Sequence, residues 1–185
     1  MKVIGAIGQN GSGKDAVTKH LGTKYGLPLL STGDIVRDIA AKEGLEPSRT
    51  SLQQISDRYF RQFGEGCFVK MIVDRLTHSD WPVAAITGIR SPEDVAILRD
   101  AFGDDFLLIH VHVTDARDRY ERMCKRGEGR DQNTYDEFAR QDQAEETLFH
   151  LSQAASLADC SLRNDGTLED LHRALDRLLD GCDWL

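Results

Sequence analysis

The stretch Gly8–Asp15, with the sequence GQNGSGKD, lies between a short apolar run (residues 2–7) and a segment of helical composition. It satisfies the phosphate-binding pattern G-x-x-x-x-G-K-[S/T] as far as Lys14, and Asp15 stands where a hydroxyl residue normally lies. Glycines let the backbone bend so that its N–H groups face an anion, while the helix start and the lysine add positive charge. The order strand, loop and helix therefore predicts a phosphate-binding loop at the beginning of an α/β domain.

The loop and the helix start supply the residues that we expect to contact the phosphates of ATP. They are Gly8, Asn10, Gly11, Ser12, Gly13, Lys14, Asp15 and Ala16. Lys14 is also a candidate catalytic residue, because phosphoryl transfer requires positive charge over the group that moves.

Asp15 is unexpected in such a loop, because a carboxylate repels phosphates unless a divalent cation lies between them. In P-loop kinases the third strand often ends in an aspartate that holds a magnesium-bound water, whereas the third apolar run here ends at Thr87. We hypothesise that the two positions have exchanged chemistry and that Asp15 and Thr87 together hold Mg²⁺. The alternative is that Asp15 is an ordinary first-turn acid favoured by the helix dipole.

Five short apolar runs alternate with longer segments of helical pattern, which predicts a five-stranded parallel sheet flanked by helices. The runs are KVIGAI (2–7), LPLL (27–30), PVAAIT (82–87), FLLIHVHV (106–113) and CSLRN (160–164). Because they are continuously apolar rather than alternating, they suit strands that are covered on both faces.

Helix starts are marked by capping sequences at Ser91, Thr134 and Thr167, each followed three residues later by an acid. The last helix should place five leucines on one face: Leu168, Leu171, Leu175, Leu178 and Leu179. Residues 33–77 have helical composition with breaks at Glu46-Pro47 and at 64–66, which predicts a helical insertion between the second and third strands.

Composition restricts the classes of partner. With 23 basic and 31 acidic side chains the chain carries a net charge of −8 and has no long basic run, so we expect no nucleic-acid partner. No apolar stretch approaches the roughly eighteen residues of a membrane span, and we expect no membrane partner. The four cysteines are widely spaced, which favours reduced thiols and a cytoplasmic location.

Two further segments resemble adenylate kinases. TGDIVR (32–37) is similar to the turn and helix that cradle the acceptor nucleotide in that family, and TGIR (87–90) resembles its Asp-Gly-Phe-Pro-Arg segment. LADCSLRNDGTLEDL (157–171) is similar to the adenine-side ending of the same superfamily, which implies cofactor contacts from Asn164 and Gly166. The resemblance implies that the substrate is bound by Thr32, Gly33, Arg37, Gly88 and Arg90, with Arg90 also catalytic.

The chain looks most like the small adenylate-kinase-related P-loop proteins common in archaea, and dephospho-coenzyme A kinases share a similar plan. The resemblance implies transfer of phosphate from Mg-ATP to a nucleoside monophosphate, with AMP first. Asp94 stands where adenylate kinases carry a glutamine that binds adenine, so the identity of the acceptor's base is left open. Alternatives are a dephospho-coenzyme A kinase, or a sensor that binds ATP and AMP and hydrolyses ATP slowly.

Arginines cluster around a short glycine-broken segment, residues 126–134, which we interpret as a lid. We expect Arg122, Arg126 and Arg130 to stabilise the transferring phosphate and Arg140 to reach the substrate from the other wall. The alternative is a solvent-facing helix in which acids and arginines pair.

These expectations combine into a single P-loop kinase domain over residues 1–185. Its core comprises residues 1–32, 78–125 and 135–185, the insertion of residues 33–77 binds the acceptor, and the lid closes over it. Its partners should be small-molecule nucleotides, and the protein should be a monomer or a homodimer.

Overall fold

The computed structural model describes residues 1–127, 134–181 and 184, and within them five strands form one parallel sheet in the order β2-β3-β1-β4-β5. The strands are β1 (Lys2–Ile7), β2 (Leu29–Ser31), β3 (Val83–Thr87), β4 (Phe106–His112) and β5 (Cys160–Arg163). The predicted α/β sheet is confirmed.

Nine α-helices connect and cover these strands in the described part of the chain. They are α1 (Lys14–Tyr25), α2 (Thr32–Lys42), α3 (Arg49–Phe63), α4 (Cys67–Thr77), α5 (Pro92–Phe102), α6 (Ala116–Arg126), α7 (Tyr135–Phe149), α8 (Leu151–Ser156) and α9 (Leu168–Asp180). The predicted insertion contains α2, α3 and α4, and the breaks between them fall where proline and glycine lie in the sequence.

The sheet separates two apolar layers. On one face, side chains of β1 such as Val3 pack against α2, α4, α5 and α8. On the other face, β1 and β4 side chains such as Ile4 and Ile109 pack against α1 and α9. Both faces of the central strands are therefore buried, which explains their continuous apolar sequences.

Several predicted boundaries were wrong by one or two residues. β2 begins at Leu29 rather than at residue 27, because Pro28 has no N–H and only its carbonyl joins the sheet, accepting from Ala85 N at 2.9 Å. The three predicted capping sequences are confirmed as capping boxes. Leu168 does not share the buried face of α9: it is the first helical residue and is 57% exposed.

α9 is joined to α1 by a polar cluster centred on Asp176. His20 Nε2 and the Tyr25 hydroxyl both lie 2.8 Å from Asp176 Oδ1, and Lys24 Nζ lies 2.8 Å from Oδ2. Burial alone would raise the pKa of Asp176, but these hydrogen bonds outweigh it and lower the pKa to about 2.

The order of the strands determines where a ligand can bind. β1 lies between β3 and β4, and β2 lies beyond β3, with Ala6 beside Thr87 and Thr87 beside Ser31. The loops after β1, β2 and β3 therefore meet at the carboxyl edge of the sheet, which is where open α/β sheets bind ligands.

The described cysteines, Cys67, Cys124 and Cys160, form no disulfide within the part of the chain that the structure describes, and the expectation for Cys182 falls outside it. Among the described helices none is both long and apolar enough to cross a membrane.

Candidate active site

The phosphate-binding loop forms the predicted turn between β1 and α1. Gly13 precedes α1 with φ of 102°, a conformation that favours glycine, and a side chain there would collide with the amide of Asn164. That amide is buried and donates from Nδ2 to the Ser12 carbonyl at 2.8 Å. The segment after β5 therefore contacts the phosphate-binding loop and stabilises its conformation.

Lys14 lies among charges of both signs. Burial lowers the pKa of Lys14, and Arg90 and Arg126 lower it further, while Asp15 and Glu145 act in the opposite direction. Three cations and two carboxylates therefore converge at the mouth of the loop. Such a cluster suits a polyanionic ligand.

Asp15 and Thr87 are neighbours, as the magnesium hypothesis requires. The Thr87 hydroxyl donates to Asp15 Oδ1 at 3.2 Å across the edge between α1 and β3. Both groups offer the hard oxygen atoms that Mg²⁺ prefers. Among the described residues, no group of three or more histidine, cysteine or acidic side chains is arranged to hold a metal ion.

Most predicted substrate residues line one groove of about 1400 Å³ that runs from the phosphate-binding loop to α3. The predicted residues on its wall are Asn10, Asp15, Thr32, Gly33, Arg37, Gly88, Arg90 and Arg126. α3 and α4 add an apolar wall that includes Phe60 and Phe68. The groove thus joins a charged end to an aromatic end.

At the turn after β2, several predicted groups already have intramolecular partners. The Thr32 hydroxyl donates to the Gly88 carbonyl at 3.1 Å, and the Gly33 N–H donates to Ser31 Oγ at 3.1 Å. Arg37 forms an ion pair with Asp34 on the exposed side of α2. Arg37 must therefore exchange this carboxylate for an acceptor anion if it binds substrate.

Asp94 fixes the backbone before α5. Its carboxylate accepts from Arg90 N at 2.9 Å and from Ser91 N at 3.1 Å, and burial raises its pKa in spite of these bonds. Asp94 also lies on the groove wall, but both of these bonds go to its Oδ2, which is committed to the cap. The cap positions Arg90, which faces the groove.

Other predicted residues do not reach the groove. Arg122 Nη2 donates to the carbonyls of Asn164 at 2.7 Å and Gly166 at 3.4 Å, so these three residues hold the β5–α9 segment together. Arg140 is exposed on α7 and its Nε donates to the carbonyl of Asp136 within the helix. Arg130 lies outside the described residues.

The remaining loop residues have structural surroundings. Gly8 packs against the β4 backbone, and Gly11 against that of Arg119. The Ser12 hydroxyl is buried with no hydrogen-bond partner in the described part of the chain. Ala16 N donates to the Gly13 carbonyl at 2.9 Å, which begins the helical ladder of α1.

Sequence reasoning missed the most buried charged residue of the site. Arg119, on α6, is 3% exposed and forks onto Asp142 of α7 at 2.7 and 2.8 Å. Its Nη1 also donates to the Asn10 carbonyl at 3.1 Å, and its guanidinium lies 5.1 Å from the centre of the Phe138 ring. Arg119 therefore ties the phosphate-binding loop to both helices, a role that its neighbours in sequence do not reveal.

Sequence comparisons place the chain among known proteins. A UPF0200 protein from Thermococcus kodakarensis is 31% identical over 180 residues and covers 96% of each chain. A UPF0200 protein from Methanoculleus marisnigri is 31% identical over 179 residues and covers 97% of this chain and 96% of its own. The chain belongs to the UPF0200 family. Residues 7–139 of this UPF0200 protein also match the AAA domain family.

Solved structures show the same fold at low identity. A gluconokinase from Sinorhizobium meliloti matches with a TM-score of 0.62 at 17% identity, covering 99% of this chain and 96% of its own. A shikimate kinase from Acinetobacter baumannii, in complex with shikimate, matches with a TM-score of 0.61 at 16% identity over 98% of this chain and 94% of its own. The UPF0200 protein has the P-loop kinase fold. Its resemblance to adenylate kinases in particular stays a prediction.

Proposed function

We propose that this UPF0200 protein transfers a phosphoryl group from Mg-ATP to a nucleoside monophosphate, with AMP as the first candidate. The observation that carries the proposal is the convergence of Lys14, Arg90 and Arg126 beside the phosphate-binding loop: Arg90 and Arg126 line the groove, and Lys14 and Arg90 line the small cavity next to the loop. Two anionic substrates held end to end need positive charge between them, because the transferring group carries negative charge throughout the reaction.

Different residues of the site bind the donor and the acceptor. The loop and Lys14 hold the donor phosphates, and Arg90 and Arg37 bind the acceptor phosphate once Arg37 leaves Asp34. An acceptor phosphate is already ionised near neutral pH, so its oxygen can attack the γ-phosphorus without a general base. Mg²⁺, held beside Asp15 and Thr87, would neutralise part of the phosphate charge.

The experiment is to incubate the purified protein with Mg-ATP and a panel of nucleoside monophosphates, and to identify the products by mass. We expect ADP together with one nucleoside diphosphate, formed only when the acceptor is present. Phosphate released from ATP alone would replace the proposal with a weak ATPase or a sensor.

Arg90→Met tests the role of the central arginine. We expect kcat/KM to fall by about a hundredfold or more, because a charge that faces the transferring phosphate is lost. Arg177→Met is the matched control, since Arg177 is exposed on α9 and its Nε bonds only within that helix among the described contacts. Equal effects of the two substitutions would contradict the assignment of Arg90.

A second acceptor, dephospho-coenzyme A, is favoured by one observation. The groove of about 1400 Å³ exceeds the roughly 300–1,000 Å³ of an ordinary small-ligand site. Its aromatic end at Phe60 and Phe68 would suit an additional organic group. The same incubation with dephospho-coenzyme A decides this point, because a phosphorylated coenzyme product would select the larger acceptor.

A further inference from the structure

α7 contacts the phosphate-binding loop through a stripe of its surface. Gln9 Nε2 donates to Asp142 Oδ2 at 3.3 Å, and Asn10 Nδ2 lies 2.9 Å from each oxygen of the Glu145 carboxylate. Asp142 and Glu145 are three residues apart on the helix, so they lie on the same side. Two consecutive loop residues are thus held by two carboxylates of one helix.

The same stripe continues to the acceptor arginine. Phe149 lies four residues after Glu145, and its ring centre is 5.4 Å from the Arg90 guanidinium. The Glu145 carboxylate also raises the pKa of Lys14, although burial lowers that pKa overall. α7 therefore places one carboxylate on the phosphate-binding loop and one aromatic ring against Arg90, and both side chains line the small cavity that Lys14 and Arg90 share.

This arrangement leaves little space beside Lys14. The cavity bounded by Gly8, Lys14, Arg90 and Glu145 measures about 20 Å³. That volume is close to the minimum for one water molecule and cannot take a phosphate group. In this conformation the cavity that Lys14 and Arg90 line is also lined by a carboxylate of the protein, that of Glu145.

We infer that Glu145 occupies the site that the γ-phosphate of the donor enters, so that ATP binds only when α7 releases the loop. The inference rests on the proposed function in that ATP is the donor. A phosphate brings more negative charge than a carboxylate and can accept from the loop N–H groups, so it displaces Glu145 at a cost in affinity. Glu145 thereby weakens binding of the triphosphate more than binding of the diphosphate.

The test is Glu145→Gln, which keeps the size of the side chain and its bond to Asn10 but removes the charge. Affinities for ADP and for a non-hydrolysable ATP analogue are measured by calorimetry with Mg²⁺. We expect the Kd of the ATP analogue to fall by about tenfold, as removal of one nearby charge of the same sign predicts, and that of ADP to fall less. Asp136→Asn removes the same charge from an exposed position on α7 and should change both affinities by less than about twofold.

Three results would overturn the inference. Unchanged affinities would mean that Glu145 does not compete with phosphate, and equal gains for both nucleotides would remove the assignment to the γ-phosphate. Weaker binding of the ATP analogue would mean that the carboxylate supports the loop or the metal. None of these would affect the proposed function, which fails if the wild-type protein binds no ATP or transfers no phosphate to an acceptor.

A measurement on the wild-type protein avoids dependence on any variant. Hydrogen exchange of the backbone amides of residues 139–149 should become faster when the ATP analogue binds, because α7 loses its contacts with the loop. AMP alone should leave the exchange of these amides unchanged. Slower exchange in α7 with the ATP analogue would show that the helix stays docked and would overturn the inference.

Discussion

Replacing Arg119 with methionine should destabilise the protein strongly, because the substitution strands a carboxylate. The Arg119 side chain is 4% exposed and Asp142 is 19% exposed, and the two form a forked ion pair. Methionine fills much of the same volume and keeps the contact with Phe138 apolar. The loss is therefore mainly that of the charge and of its hydrogen bonds, including the one to the Asn10 carbonyl.

The magnitude follows from the burial of the pair. Breaking a buried ion pair by removing one partner costs about 3–5 kcal/mol. Asp142 keeps some contact with solvent and one bond from Gln9, so we expect the lower end, about 3 kcal/mol. For a chain of 185 residues this corresponds to a decrease in Tm of roughly 6–12 °C.

Urea denaturation of four proteins separates the contribution of the ion pair to the free energy of unfolding from that of packing. They are the wild type, Arg119→Met, Asp142→Asn and the double variant. Because the double variant leaves no stranded charge, its free energy of unfolding should exceed the additive expectation by about 1.5 kcal/mol or more. If Arg119→Met costs less than about 1 kcal/mol, or if the two effects simply add, the pair does not stabilise the loop as argued.

Three further predictions concern separate parts of the molecule. Asp15→Ala should retain ATP binding and lose its magnesium-dependent turnover, and turnover with an unchanged magnesium dependence would refute the metal role. Gly88→Ala should lower the free energy of unfolding by about 1–3 kcal/mol, measured in urea, because φ at this residue is 88° and the methyl group would meet Thr32; a neutral effect would contradict this. Asp176→Asn should cost about 1–2 kcal/mol at pH 7, with allowance for solvent screening. Since the folded-state pKa is about 2, below the ordinary 3.8, this stability is present above about pH 4 and is lost as pH falls towards 2. The difference in the free energy of unfolding between the wild type and Asp176→Asn, measured in urea, should therefore disappear near pH 2.

The sequence predicted features that depend on neighbouring residues along the chain. The glycine pattern before Lys14 and the capping acids three residues after Ser91 act within one turn, so they can be read directly. The proximity of Asp15 and Thr87 was predictable for a different reason: parallel strands end at a common edge, where Thr87 ends β3 and Asp15 follows the loop after β1.

Contacts between distant elements were not predictable in this way. Arg122 and Arg119 both occur in an arginine-rich helix, yet one holds backbone carbonyls after β5 and the other a carboxylate on α7. The directions of their side chains depend on how α6 packs against the rest of the protein, and this packing cannot be predicted from the local sequence. The spacing of Asp142, Glu145 and Phe149 was visible in the sequence, but only the position of α7 over the loop gives that stripe a meaning.

The two carboxylates at the phosphate-binding loop offset the mutual repulsion of the cations gathered there. Lys14, Arg90 and Arg126 repel one another when no ligand is present, and the lowered pKa of Lys14 reflects burial together with this repulsion. Asp15 and Glu145 oppose it by supplying negative charge at the same place. Phosphates supply more negative charge than these carboxylates do. A carboxylate that is fixed beside bound phosphates is favourable only if a divalent cation lies between the two. A carboxylate on a helix that can move away need not stay beside the phosphates. The two acids thus represent different solutions: Asp15, on the helix that the loop begins, fits a magnesium partner, and Glu145, on α7, fits displacement.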